Sequence, residues 1–196
     1  NKLFLIIMCG ITAYIGIKNA YKNILEGLIQ LQNRGYDSAG ISTLSNDCNF
    51  FFRKYASNEI SALEKLKKHN SDNLIGIGHT RWATHGPKTD VNSHPHFDNE
   101  KKICLVHNGI IENYLKIKYK LINEGYNFIS QTDTEIIVNL ISYNFKKIKN
   151  FEKAIIESIK ELEGTYALCI LYNSEPNKLY CIRHGSPILV SYDDNS

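Results

Sequence analysis

Apolar positions recur along this chain at two spacings: near every second residue in some blocks, near every third or fourth in others. These are the periods of strand and helix. Residues 10–17 interleave small and apolar side chains like a buried strand. After Asn19, Ile24, Leu28 and Leu31 fall on one helical face with Leu25 and Ile29 beside them, which predicts a helix ending near Gly35. Residues 39–44 and 50–55 read as strands, and Ile60, Leu63 and Leu66 give a short helix after Ser57. Residues 74–80 and 103–106 are strand-like runs on either side of a polar stretch, 81–102, that keeps no period. Loops of that length inside a domain are usually functional or disordered. Residues 111–123 are helical in pattern. Thr132-Asp133-Thr134-Glu135 has the spacing of a capping box, opening a helix with Ile136, Ile137, Leu140 and Ile141 inward. A further helix carries Ile155, Ile159 and Leu162, and strands are expected at 166–172, 179–183 and 187–192. The strands come in adjacent pairs rather than in strict alternation with helices. Mixed or antiparallel sheets covered by helices are therefore expected.

Composition narrows the class. With 196 residues, 43% hydrophobic and 22% charged, the chain suits one domain and is too apolar for a disordered tail. A chain of this size can bury roughly 70% of its unfolded surface and needs no disulfide or metal staple. The net charge is +3, and Lys67-Lys68, Lys101-Lys102 and Lys146-Lys147 are separated pairs, not a phosphate-binding stripe. Neither nucleic acid nor an anionic membrane is expected as a partner. Five widely spaced cysteines without a C-x-x-C pair argue against a secreted disulfide framework and a zinc knuckle, and a reducing cytoplasm fits best. The apolar run 3–8 is short for a signal-peptide core. Extended through Ile17 it is broken by Gly10, Thr12 and Gly16 and falls short of the ~20 residues of a membrane span. The chain opens on Asn1 and its only methionine is Met8, so either residues 1–7 lie upstream of the translated start or the sequence is a fragment.

Several blocks carry candidate chemistry. Cys9 follows Met8 directly. If translation starts at Met8, the small cysteine favours removal of the methionine, leaving a thiol and a free α-amine on one residue. An α-amine titrates near ~7.7–8.0 and can act as the base for its own thiol. On position alone, a small buried hydrophobe in the first strand is the competing reading. Arg34 lies in Asn33-Arg-Gly-Tyr-Asp-Ser-Ala-Gly40, where turn punctuation alone would account for the residues; yet the chain holds only four arginines against nineteen lysines. Gly78-His-Thr-Arg-Trp-Ala-Thr-His-Gly86 puts Arg81, the sole tryptophan Trp82, Thr84 and His85 at the exit of an apolar strand, a rigid support for a site. Arg81 could grip a carboxylate with a fork that lysine lacks, the plainer alternative being a surface arginine covering Trp82. His94-Pro95-His96, with His79 and His85, raises a metal site, but acidic or cysteine partners at ligand spacing are missing. No metal or cofactor is therefore expected, and these histidines are expected to hydrogen-bond within the long loop. Asn108 beside the Gly109 N–H is a plausible oxyanion pair or an ordinary Asn-Gly turn. Asp133 either complements a helix N-terminus or binds a substrate ammonium. Together these groups suit a free amino acid with an acyl side chain.

The blocks Met8-Cys9-Gly10-Ile11, Arg34 to Gly40, His79 to Gly86, His94 to His96, His107 to Asn113 and Thr132 to Glu135 stand in a recognisable order. In that order the chain resembles the class II, N-terminal-nucleophile glutamine amidotransferases, from Cys9 to about Pro187. Relatives in purine synthesis typically read R-G-Q-D, and asparagine synthetases R-G-P-D, where Arg34-Gly35-Tyr36-Asp37 stands here. The Arg81-Trp-Ala-Thr-His-Gly86 block is similar to the glutaminase domain of the glutamine–fructose-6-phosphate aminotransferase family. The resemblance implies an α+β fold, a four-layer αββα sandwich. It also implies that the Cys9 thiol attacks the amide carbon of L-glutamine with its own α-amine as base, and that Asn108 and Gly109 N–H hold the oxyanion. Arg81 would bind the substrate carboxylate and Asp133 its ammonium, with Thr84 and His85 lining the pocket, Trp82 gating ammonia and Arg34 ordering the nucleophile's surroundings. Fructose 6-phosphate would enter only through a sugar-isomerase half absent from this chain, and the complete protein would be a homo-oligomer. Residues 1–8 block the Cys9 amine as written, and the family's glutaminase domain is expected to continue past Ser196. Two rivals stay open: a non-catalytic partner-binding fragment, and a class II amidotransferase with another ammonia acceptor.

Overall fold

Two four-stranded antiparallel sheets stack with helices on both outer sides in this computed structural model, which describes residues 9–32, 37–82 and 86–191. The first sheet joins β1 (Gly10–Ile15), β4 (Ile75–Arg81), β2 (Ser38–Leu44) and β3 (Phe50–Ala56) in that order, under α1 (Ala20–Gln30) and α2 (Ala62–Leu66). The second joins β5 (His96–Phe97), β6 (Ile103–Ile111), β7 (Gly164–Tyr172) and β8 (Tyr180–His184), covered by α3 (Tyr114–Asn123), α4 (Asp133–Ile148) and α5 (Phe151–Lys160). Strand alternation divides the apolar residues among three cores. Ala39 and Ile41 face α1 and α2 with Ile24 and Leu28. Leu44, Ile75, Ile77, Cys104, Val106, Cys169 and Leu171 fill the space between the sheets. Ile103, Leu105, Leu168 and Ile170 face α4 and α5. The expected αββα sandwich is the observed one.

The helix starts are set by their caps. Asn19 accepts from Lys22 N (2.9 Å) at the head of α1, as its position predicts. Gly35, where that helix was expected to end, lies outside the described residues. Thr132 caps α4 by accepting from Glu135 N. Glu135 departs from the box: its carboxylate turns to Ile129 N, Ser130 N and the Ser130 hydroxyl instead of back to the cap. The short helix after Ser57 begins later than its apolar spacing suggests, at Ala62 with Ser61 as cap, and leaves Ile60 outside it and exposed.

Three other expectations change. β6 runs past Val106 to Ile111, so Asn108-Gly109 is strand, not turn, and the following helix begins at Tyr114 instead of 111. Pairing with β7 from Ile103↔Tyr172 to Ile111↔Gly164 overrides the local turn preference. The polar stretch after β4 contains β5, and its middle turns inward: Asn92, Ser93, His94 and His96 are all buried, while 86–91 and 99–102 are exposed. It is pinned by the Lys54 ammonium, which donates to the carbonyls of Ser93 (2.8 Å), Pro95 (3.1 Å) and Val91 (3.2 Å). Gly40 lets it close, since a Cβ there would stand 2.0 Å from the His94 carbonyl oxygen. Finally, 187–191 form no strand; Leu189 and Val190 are exposed with no strand paired to them, and Tyr192 lies outside the described residues. Among the described residues, no helix is long and apolar enough to cross a membrane.

Candidate active site

The antiparallel β1–β4 pairing sets Gly10 opposite Thr80, so the residue entering β1 lies beside those leaving β4. Cys9 shares strand parity with Ile11 and Ala13, which pack into the inter-sheet core. Trp82 N–H donates to Cys9 Sγ at 3.1 Å, and the thiol reaches the Trp82 carbonyl oxygen at 3.5 Å. β6 delivers Asn108 from the opposite sheet, on the same face as Cys104 and Val106. Its Nδ2 donates to the Cys9 carbonyl oxygen at 2.8 Å, and its Oδ1 lies 2.9 Å from His79 Nε2 on β4. Gly109 follows in the exposed rim with φ 137°, and a Cβ there would meet the Thr165 carbonyl oxygen at 2.0 Å.

Burial pushes the Cys9 thiol above its ordinary value; Trp82 N–H and the Arg81 charge pull it back, and Asp37 adds to the rise. A thiol so placed needs a base before it can attack. Arg81 is 3% exposed, which excludes a surface arginine lying over Trp82. Its guanidinium donates to the Gly86 (3.3 Å) and Pro87 (3.4 Å) carbonyls. Asp133 is the first residue of α4, where its charge complements the helix dipole. It is buried, with Oδ2 accepting from Ile111 N (3.0 Å) and Oδ1 3.7 Å from His107 Nδ1.

Cys9, Arg81, Trp82, Asn108, Gly109 and Asp133 are thus held on adjoining elements: the β1 and β4 ends, β6 and the head of α4. Arg34, Thr84 and His85 lie outside the described residues. Two of the histidines expected to bond within the long loop, His94 and His96, instead reach the head of α4, through His94 Nε2–Thr134 Oγ1 (2.8 Å) and His96 Nε2–Thr132 Oγ1 (3.1 Å). His107 Nδ1 meets the same Thr134 hydroxyl at 3.1 Å, and His79 stacks on His94 with centroids 4.0 Å apart. Burial drives His79 down to about 3 and holds His94 and His96 well below their usual range, so these rings stay neutral near pH 7. Among the described residues, no group of three or more His, Cys, Asp or Glu is arranged to hold a metal. Nothing in the sequence marked Thr132 and Thr134 as the partners of these rings, and nothing in it linked His79 to Asn108.

A two-sheet sandwich with a cysteine at the mouth of its first strand is the fold of the class II, N-terminal-nucleophile amidotransferases. The glutamine phosphoribosylpyrophosphate amidotransferase of B. subtilis, in complex with ADP and GMP, matches 85% of this chain and 35% of its own at TM-score 0.69 and 26% identity. The profile of the glutamine amidotransferase domain family matches residues 79–195, more than half of the chain, and the chain belongs to that family. Curated relatives are the isomerizing glutamine–fructose-6-phosphate aminotransferases of Clostridium perfringens, 45% identical over 184 residues, and Caldanaerobacter subterraneus, 47% identical over 184. Each alignment covers 93% of this chain, which spans about 30% of those proteins.

Proposed function

We propose that the chain is the glutaminase part of a glutamine–fructose-6-phosphate aminotransferase, hydrolysing L-glutamine to glutamate and ammonia. The observation that carries this reading is the meeting of Cys9 Sγ, Trp82 N–H and the Asn108 amide at one end of the inter-sheet space. In the reading, Cys9 Sγ bonds to the side-chain amide carbon while its proton passes to the Cys9 α-amine. The carbonyl electron pair moves onto oxygen, held by Asn108 Nδ2 and Gly109 N–H. Collapse expels ammonia, which takes the proton from the α-ammonium and leaves a γ-glutamyl thioester. Water, giving a proton to the same amine, adds to the thioester carbon; the C–S bond then breaks, the Cys9 sulfur takes that proton back, and glutamate is released. The mechanism requires processing to Cys9. Arg81 grips the substrate carboxylate, Asp133 its ammonium, Thr84 and His85 line the pocket, Trp82 gates ammonia and Arg34 orders the nucleophile's surroundings.

The relatives' 45–47% identity supports fructose 6-phosphate as acceptor and glucosamine 6-phosphate as product, both in the rest of the protein. A homo-oligomeric, cytoplasmic complete enzyme belongs to the same reading. The full-length protein processed to Cys9 is expected to release glutamate and ammonia in equal amounts from glutamine alone; no release would overturn the reading. Arg81→Lys is expected to raise the KM for glutamine by about 5–150-fold, because a paired charge-assisted contact worth roughly 1–3 kcal/mol is lost. An unchanged KM would remove Arg81 from the substrate site.

A further inference from the structure

The Asn108 side chain has two ends that differ only in which atom is nitrogen, and their order decides whether a donor or a lone pair faces the nucleophile. The Cys9 carbonyl oxygen, 2.8 Å away, can only accept, so the end facing it is Nδ2. Oδ1 is then the end facing His79 Nε2 at 2.9 Å, and because a carbonyl oxygen only accepts, the imidazole proton sits on Nε2. His79 is fully buried, and its ring is wedged against His94 at 4.0 Å between centroids. Its position is therefore set by packing before substrate arrives. When Nδ2 turns to a developing oxyanion it gives up or shares its bond to Cys9 O. The bond to His79 is made by the other end of the amide, Oδ1, which takes no part in holding the oxyanion.

We infer that His79 is a positioning residue for the oxyanion site: its Nε2–H fixes the rotation of the Asn108 amide so that Nδ2, and not Oδ1, is the end presented to the developing oxyanion. Burial, which keeps the imidazole neutral near pH 7, fits a ring that gives one directed N–H and no charge. The inference rests on the glutaminase reading, and the test separates the two. In the full-length protein processed to Cys9, Asn108→Ala is expected to lower kcat about 10²–10³-fold with KM little changed. If Asn108→Ala leaves kcat intact, the oxyanion reading itself fails.

Given that loss, His79→Phe, which keeps a ring but no donor, is expected to lower kcat about 10–100-fold with KM within about threefold. His79→Gln, which restores an N–H, is expected to recover most of it. The double variant His79→Phe/Asn108→Ala is expected to match Asn108→Ala alone within about twofold, because the two act through one bond. Multiplying losses in the double variant, or a KM effect with kcat unchanged, would make His79 merely structural and overturn the inference. A measurement on the unaltered protein stands even if His79→Phe does not fold. Histidine ¹⁵N spectra, with the His79 signals assigned through His79→Gln or by sequential correlation, are expected to show a neutral ring protonated at Nε2 near pH 7. The opposite tautomer would overturn the inference.

Discussion

Cys9→Ser, in the protein processed to that residue, is expected to abolish glutamate release, with turnover down by about 10⁴-fold or more. The substitution leaves the α-amine, the Trp82 N–H and the Asn108 amide in place, and changes only the attacking atom. A hydroxyl is far harder to ionise than a thiol, and this thiol is itself held up by burial with one base to draw on. Binding should survive, since no contact assigned to the substrate's carboxylate or ammonium involves Sγ. Glutamine binding measured by calorimetry, alongside glutamate release, separates the two effects. Retained turnover would place the nucleophile elsewhere.

Gly109→Ala is expected to be nearly as severe by a different route. The backbone there sits at φ 137°, a conformation that side-chain-bearing residues rarely adopt. The added Cβ would also stand 2.0 Å from the Thr165 carbonyl oxygen, a backbone atom of the paired strand that cannot swing away. Strain of this kind costs about 3 kcal/mol or more if the strand holds its register. If β6 shifts to relieve it, the 109 N–H moves with it, and kcat should fall about 10²–10³-fold. Urea unfolding and the kcat of whatever folds report the two outcomes; wild-type values in both would remove Gly109 from the oxyanion site.

Much of the sandwich was legible because its elements obey their own period. β1, β2, β3, β4 and β7 lie within a residue or two of their apolar runs, and Asn19 and Thr132 mark their helices by side-chain caps that need no tertiary partner. What failed to show depends on neighbours distant in sequence. Asn108-Gly109 reads locally as a turn and becomes strand because β7 pairs across it. α4 shows four inward apolar residues in the pattern, yet it is buried all round from Asp133 to Asn144. Its polar residues are satisfied by remote groups: Asn139 Oδ1 accepts from Asn99 N, Ser142 donates to Asp98, and Asn144 donates to Ser158. Cys169 and Cys181 look widely spaced but sit opposite each other on β7 and β8, with Sγ atoms 3.6 Å apart. The imidazole cluster followed the same rule. Its members come from β4, β6 and the intervening loop, so nothing local announced that they would meet.

The central claim, that Cys9 is a nucleophile in a formed glutamine pocket, is tested most directly by covalent labelling. The full-length protein processed to Cys9 would be treated with a glutamine analogue bearing an electrophilic ketone in place of the amide, and the modified cysteine mapped by mass spectrometry. Modification at Cys9 alone, slowed by free glutamine, is the predicted result. Labelling spread over the exposed Cys48 and Cys181, or indifferent to glutamine, would contradict it.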